Sequence, residues 1–237
     1  MAAHIFRQIR QSIAQLDPRD VRKKAERPVT IRLIAVSKAG YRAIEGFLAP
    51  PSLSREKRDE ILRSIFREGD ARDPGECDLE IHDPNLGKLE GGFAFEPGMV
   101  RLILKQRAEL AMPLSRMFPS FRGPVTRGIM FDISKENALF ALATALPDVF
   151  PGVQLPWAIP EAASDAAVLT VNQIRMAFLL AAASDHAVGY REQKAEVASI
   201  IAGCFGWRAL ARELAGKIPF GGGMIPKGAI AFAGTYV

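Results

Sequence analysis

Chemistry in this chain would most naturally sit where the strand-like run Val29-Thr-Ile-Arg-Leu-Ile-Ala-Val36 ends, because a phosphate loop belongs there. Such a loop needs glycines whose backbone N–H groups cradle phosphates, then Lys and Ser or Thr for phosphate and magnesium. The chain instead reads Ser37-Lys38-Ala39-Gly40-Tyr41, without the glycine frame or the Lys-Ser/Thr pair. It echoes a guanine-reading Asn-Lys-x-Asp, but Gly40 stands where that reading needs a carboxylate, so the echo is put down to chance. A second cluster, Gly221, Gly222 and Gly223 followed by Lys227, has the composition of an anion nest. Pro226 has no N–H to offer there, and no Ser or Thr follows Lys227, so the segment reads as a closely packed turn between helices. His4, His82 and His186 stand apart from one another, and neither they nor Cys77 and Cys204 fall at zinc-ligand spacing. No catalytic residue, metal or cofactor is expected, and the cysteines read as free thiols.

One polar pattern stands out in an apolar setting. If the chain is helical from Glu161, then Glu161, Asp165, Asn172 and Arg175 form one stripe on a helix otherwise lined by Val168, Leu169, Ile174, Phe178 and Leu179. Unpaired charge in such surroundings is costly. The stripe should therefore face a partner, water or a polar seam; the solvent face of a core helix is the plain alternative. Arg175 lies midway along the longest apolar stretch and is expected to take a carboxylate from another helix. Asp148 is the leading candidate, if a hairpin turns near Pro156 to Pro160.

The elements that would position these residues follow from periodicity. Residues 3–16 read as a short amphipathic helix, able to lie on a membrane or to pack on its own protein. Residues 29–36 and 77–82 read as strands, with helices over 41–48 and 54–66 between them. This small α/β unit would have parallel strands if they lie side by side. Asn85 to Pro97 reads as a Gly-rich linker, and Met99 to Ala111 as a helix. Beyond residue 129 come several nearly uncharged stretches. Each is cut by proline, glycine or a charge before the roughly 18–20 residues of a membrane span. They are expected to be core helices of a bundle or helices that dip into one leaflet.

The expected fold is α+β and mainly helical. It has an amphipathic N-terminal helix and basic linker over 1–27, a small α/β unit without a P-loop over 28–97, and an apolar helical module over 98–237. Charge divides the chain in the same way. Residues 1–130 hold 23 Lys and Arg against 17 Asp and Glu, a balance of +6; residues 131–237 hold 8 against 9, a balance of −1. The basic half suggests an acidic partner or a solvated basic surface. The N-terminus shows no signal-peptide core, which places the protein inside the cell.

Residues 136–237 resemble the YcjF-type bacterial domain of unknown function, often linked to Era-like GTPases. The resemblance rests on Glu136-Asn-Ala-Leu-Phe-Ala-Leu-Ala-Thr-Ala-Leu-Pro147, Leu155-Pro-Trp-Ala158, Leu169-Thr-Val-Asn-Gln-Ile-Arg-Met-Ala177 and Phe205-Gly-Trp-Arg-Ala-Leu-Ala-Arg-Glu-Leu214. Lys217-Ile-Pro-Phe-Gly-Gly-Gly223 and Ala231-Phe-Ala-Gly-Thr-Tyr236 complete it. GTPase motifs are missing from the N-terminal half. The resemblance implies a non-catalytic, membrane-associated interaction protein on the cytoplasmic face of the bacterial inner membrane. Its partners would be a GTPase or other protein and the anionic membrane surface, with no specific nucleic acid. The alternatives are a cytoplasmic protein, and a nucleotide-binding protein or enzyme with a diverged site in residues 29–83. The missing phosphate loop predicts no intrinsic GTP or ATP hydrolysis; magnesium-dependent turnover that disappears in Lys38→Ala would refute this.

Overall fold

The computed structural model describes residues 16–87, 91–149, 165–203 and 224–236. The fold is mixed α+β: a small N-terminal sheet with its helices, followed by a helical region. The chain forms two compact units. One comprises Arg22–Thr126 with Ala182–His186; the other is built on Arg127–Ala181 and Ala187–Val237.

The α/β unit follows helix α1 (Pro18–Ala25). Its elements are β1 (Ile31–Ile34), α2 (Lys38–Leu48), α3 (Arg55–Arg63), β2 (Ile65–Arg67), β3 (Leu79–His82), β4 (Phe93–Ala94), α4 (Met99–Gln106) and α5 (Ala111–Met117). Among the described residues the four strands form one all-parallel sheet in the order β2-β1-β3-β4. Alternation decides its faces. Ile31, Leu33, Ile65, Leu79, Ile81 and Phe93 share one face and are buried with Ile44 and Leu48 of α2 and Ile61 of α3. The same core draws in Met99, Ile103, Leu110, Leu114, Phe118 and Phe121, so it runs well past residue 97. On the opposite face Arg32 sits beside its register partner Glu80, 2.6 Å away, and makes a two-pronged contact with Asp73 at 2.8 Å. Those hydrogen bonds from Arg32, with the Gly75 N–H, hold the Asp73 carboxyl below the usual carboxylate range.

Two strands differ from the sequence reading. Residues 54–66 read as one helix because Ile61, Leu62, Ile65 and Phe66 recur at helical spacing. The helix ends at Ser64, whose Oγ donates to the Ile61 carbonyl at 2.7 Å, and the next three residues turn into β2. Strand β4 arises within the segment read as a Gly-rich linker. Both are too short to announce themselves locally; their hydrogen bonds come from β1 and β3.

The helical region comprises α6 (Pro119–Val149), α7 (Asp165–Ala183), α8 (residues 194–203) and α9 (Met224–Tyr236). Among the described residues no helix is long and apolar enough to cross a membrane. This overturns the expectation of a membrane-associated protein, and with it the anionic-membrane partner and the inner-membrane location. The physical reason is visible in α7, the longest apolar stretch: Ala167, Ile174, Phe178 and Ala182 are buried within its own chain. The Phe178 ring packs edge-on against Tyr190, centroids 5.1 Å apart. Many basic residues of the N-terminal half are engaged internally. Arg27 pairs with Asp78, Arg67 with Glu45, Arg72 with Asp70 and Arg107 with Glu109. Lys57, Arg116 and Arg122 surround Asp185 at 2.8, 3.7 and 3.7 Å. Residues 3–15 of the expected amphipathic helix lie outside the described residues.

Arg175 has a carboxylate neighbour from another helix, Glu136. Its Nη1 lies 3.0 Å from Glu136 Oε2, and both side chains are nearly half exposed, 43% and 49%. Such a pair contributes at most about 1 kcal/mol. A more deeply buried polar contact of this unit lies elsewhere. Asn172 Nδ2 donates to Asn137 Oδ1 at 2.7 Å, and Asn137 Nδ2 donates to Thr235 Oγ1 at 2.8 Å. Thr235 in turn donates to the Ala231 carbonyl at 2.8 Å. Asn137→Leu takes the partner from the half-buried Asn172 amide and one of two from the buried Thr235 hydroxyl, and is expected to cost about 2–3 kcal/mol, against under about 1 kcal/mol for Arg175→Leu. Urea denaturation of the two variants side by side checks the order; equal losses would refute it.

Candidate functional site

Strand β1 ends at Ile34, and after three intervening residues the chain enters α2. Ser37, in extended backbone conformation, caps that helix: its Oγ accepts from the Gly40 N–H at 3.1 Å, and its carbonyl accepts from the Tyr41 N–H at 3.2 Å. The amides of Lys38 and Ala39, in the first turn, have no carbonyl partner within the helix. They lend the N-terminus the partial positive charge that favours anions. Ser37, Lys38 and Ala39 are exposed, and Val36 beside them is 67% exposed.

Strand β3 brings a second group to the same place. The Asp83 N–H donates to the Ile34 carbonyl at 2.8 Å, which ties the carboxyl end of β3 to that of β1. Asp83 is only 6% exposed and His82 only 2%. Asp83 Oδ1 accepts from the backbone N–H and side-chain amide of Asn85, at 3.0 and 2.7 Å. Its Oδ2 faces α2: a methyl group added at Gly40 would lie 2.5 Å from it. Gly92 allows a similar approach, since a methyl there would lie 3.0 Å from His82 Cδ2. The His82 carbonyl accepts from the Phe95 N–H at 2.8 Å, which fastens β4 alongside.

The strand order explains why these groups converge. From β1 the chain crosses to β2 on one side; from β3 it crosses to β4 on the other. The connections diverge between the carboxyl ends of β1 and β3, the topological switch point at which open parallel sheets bind ligands. Ser37, Lys38, Gly40, His82 and Asp83 all lie there. The carboxylate that the run Ser37-Lys38-Ala39-Gly40 lacks comes from another strand, into space left by the glycine. Sequence reading passed over Asp83; the available signal was an acid at the end of a strand, followed by the turn-forming Pro84-Asn85.

The residues proposed from the sequence lie in the other unit. Asn172 joins the buried seam with Asn137, and Arg175 pairs with Glu136. Asp148 falls on α6, Asp165 on α7 and Lys227 on α9. Glu161 and the glycines Gly221, Gly222 and Gly223 lie outside the described residues. Among the described residues no cluster of three or more His, Cys, Asp or Glu could hold a metal ion. The Cys77 thiol is pushed up chiefly by burial, which leaves it less nucleophilic.

No family model, curated protein or solved structure matches this chain. The comparisons thus point to neither a YcjF-type family nor a GTPase-linked one.

Gly40→Ala is expected to cost about 1–3 kcal/mol, because the added methyl meets a carboxylate held in place by Asn85. In an Asp83→Gly background the same change should cost much less. Additive losses in denaturant melts would show that Asp83 does not occupy the space beside Gly40.

Proposed function

We propose that the α/β unit binds a phosphate-bearing small molecule of the nucleotide class at the carboxyl ends of β1 and β3. The observation that carries this reading is the meeting of a capped helix N-terminus, which opens with Lys38, and a buried aspartate at the switch point of a parallel sheet. Each group has a role that chemistry supplies. The free amides at the start of α2 and the charge of Lys38 attract the phosphate. The Asp83 oxygen beside Gly40 accepts from a hydroxyl or amino group of the ligand. Val36 offers an apolar surface against which a base or sugar can lie. Binding is the activity proposed; the loop has no Lys-Ser/Thr pair to hold magnesium for phosphoryl transfer. For the helical unit, the YcjF-type resemblance stands as a proposal resting on its sequence blocks alone.

The test is thermal unfolding of the full chain with GTP, ATP, a nucleoside monophosphate and inorganic phosphate. A ligand at a hundred times its dissociation constant adds about 2.7 kcal/mol to folding stability. At least one nucleotide should raise the midpoint. Lys38→Ala and Asp83→Asn, both folded, should abolish the rise. No rise with any phosphate ligand at millimolar concentration, or a rise that both variants retain, would refute the reading.

A further inference from the structure

The second feature of the α/β unit that points outward is the far edge of its sheet. A cavity of about 520 Å³ lies there, lined by Glu45, Asp59, Arg63, Ile65, Arg67 and Arg72 among others. That is within the roughly 300–1,000 Å³ of typical ligand sites. Ile65 and Arg67 of strand β2 are among its lining residues. The Ile31 N–H donates to the Ser64 carbonyl and the Glu68 N–H to the Leu33 carbonyl, so residues 64, 66 and 68 face β1. In a parallel ladder the alternate residues then face the other way. Among the described residues no strand pairs with that outer edge. The Arg67 carbonyl is taken by the Asp70 N–H at 2.9 Å. The Ile65 carbonyl and the Arg67 N–H are left open, two residues apart. Together they match one residue of an added parallel strand, which donates to the first and accepts from the second.

Charge selects the occupant. Arg67 makes a two-pronged pair with Glu45 at 2.8 and 3.0 Å, and its guanidinium lies over the Tyr41 ring. Arg72 does the same with Asp70 at 3.3 and 2.8 Å. Asp59 lies 3.9 Å from Arg55. Arg63 is the one lining cation with no carboxylate partner among the described residues. Sheet edges are commonly guarded by charged side chains. Here two of the three arginines are turned onto their own acids, and the edge stays open as a cavity. We infer that this edge receives an extended, acidic protein segment, which adds in parallel beside β2 and places a carboxylate on Arg63. A second copy of this chain fits poorly, because it would bring its own unpaired Arg63 toward this one.

The experiment follows amide hydrogen exchange in the full chain. The probe is a short blocked peptide alternating valine and glutamate, at millimolar concentration. Exchange of the Arg67 amide should slow. Replacing glutamate by glutamine in the peptide, or Arg63→Gln in the exposed side chain, should each weaken binding about threefold to tenfold. A backbone N-methylated peptide and free glutarate should give no protection. The proposal is overturned if the Arg67 amide is unaffected by the peptide, or if the N-methylated peptide or glutarate protects it equally. Protection that depends only on protein concentration would identify a second copy as the occupant and overturn it too.

Discussion

Strand β1 is hydrogen-bonded along both edges, and the rest of the α/β unit hangs on that. Its residues 31 and 33 bond to β2, while 30, 32 and 34 bond to β3, which in turn carries β4. A buried backbone group left unpaired costs about as much as a lost hydrogen bond. A strand with Ile31 and Leu33 fully buried can exist only if both neighbours are present. Three-residue β2 and two-residue β4 would not hold as strands alone; they are extended because β1 and β3 need partners. Arg32 adds to this from the opposite face, where one guanidinium joins β1 to Glu80 on β3 and to Asp73 before it.

The same ladder builds the site. Parallel strands end together, so the carboxyl end of β1 and that of β3 deliver Ser37 and Asp83 to one point. The bond from the Asp83 N–H to the Ile34 carbonyl sets their separation. Gly40 then decides how closely strand and helix can approach. A side chain there would displace the one carboxylate at the crevice, so the glycine's role is spatial and does not depend on an unusual backbone angle. The outer edge of β2 is the other consequence of this order. A four-stranded parallel sheet has two edges, and the cavity lies along β2.

In the helical region, nearly uncharged apolar stretches and the family resemblance led the sequence reading toward a membrane. Helices rich in Ala, Leu and Phe serve a protein core as readily as lipid, and composition does not separate the two. What separates them here is where the polar groups go. Asn137 and Thr235 are buried and satisfied by other side chains and backbone of the same unit, and Gln173 donates to the Gly234 carbonyl at 2.8 Å. A half-satisfied network of this kind would be worse than an apolar core. The side-chain links between helices join residues far apart in sequence, Asn137 and Thr235 by 98 positions.

The sequence alone determined the mixed fold class, strand β1, the partner strand near 77–82 and, in their main extent, the two helices between them. These depend on local patterns: β-branched runs, period-two alternation, capping residues and prolines. It also placed the diverged alternative in residues 29–83, where the candidate site lies. Only the tertiary structure decided that Asp83 supplies a carboxylate beside Gly40, and that Ile65-Phe66-Arg67 leaves helical geometry for a strand. The tertiary structure likewise paired Arg175 with Glu136. Each of these rests on a contact between residues distant in the chain. Periodicity reports which face of an element is apolar; it carries no record of which other element will meet that face.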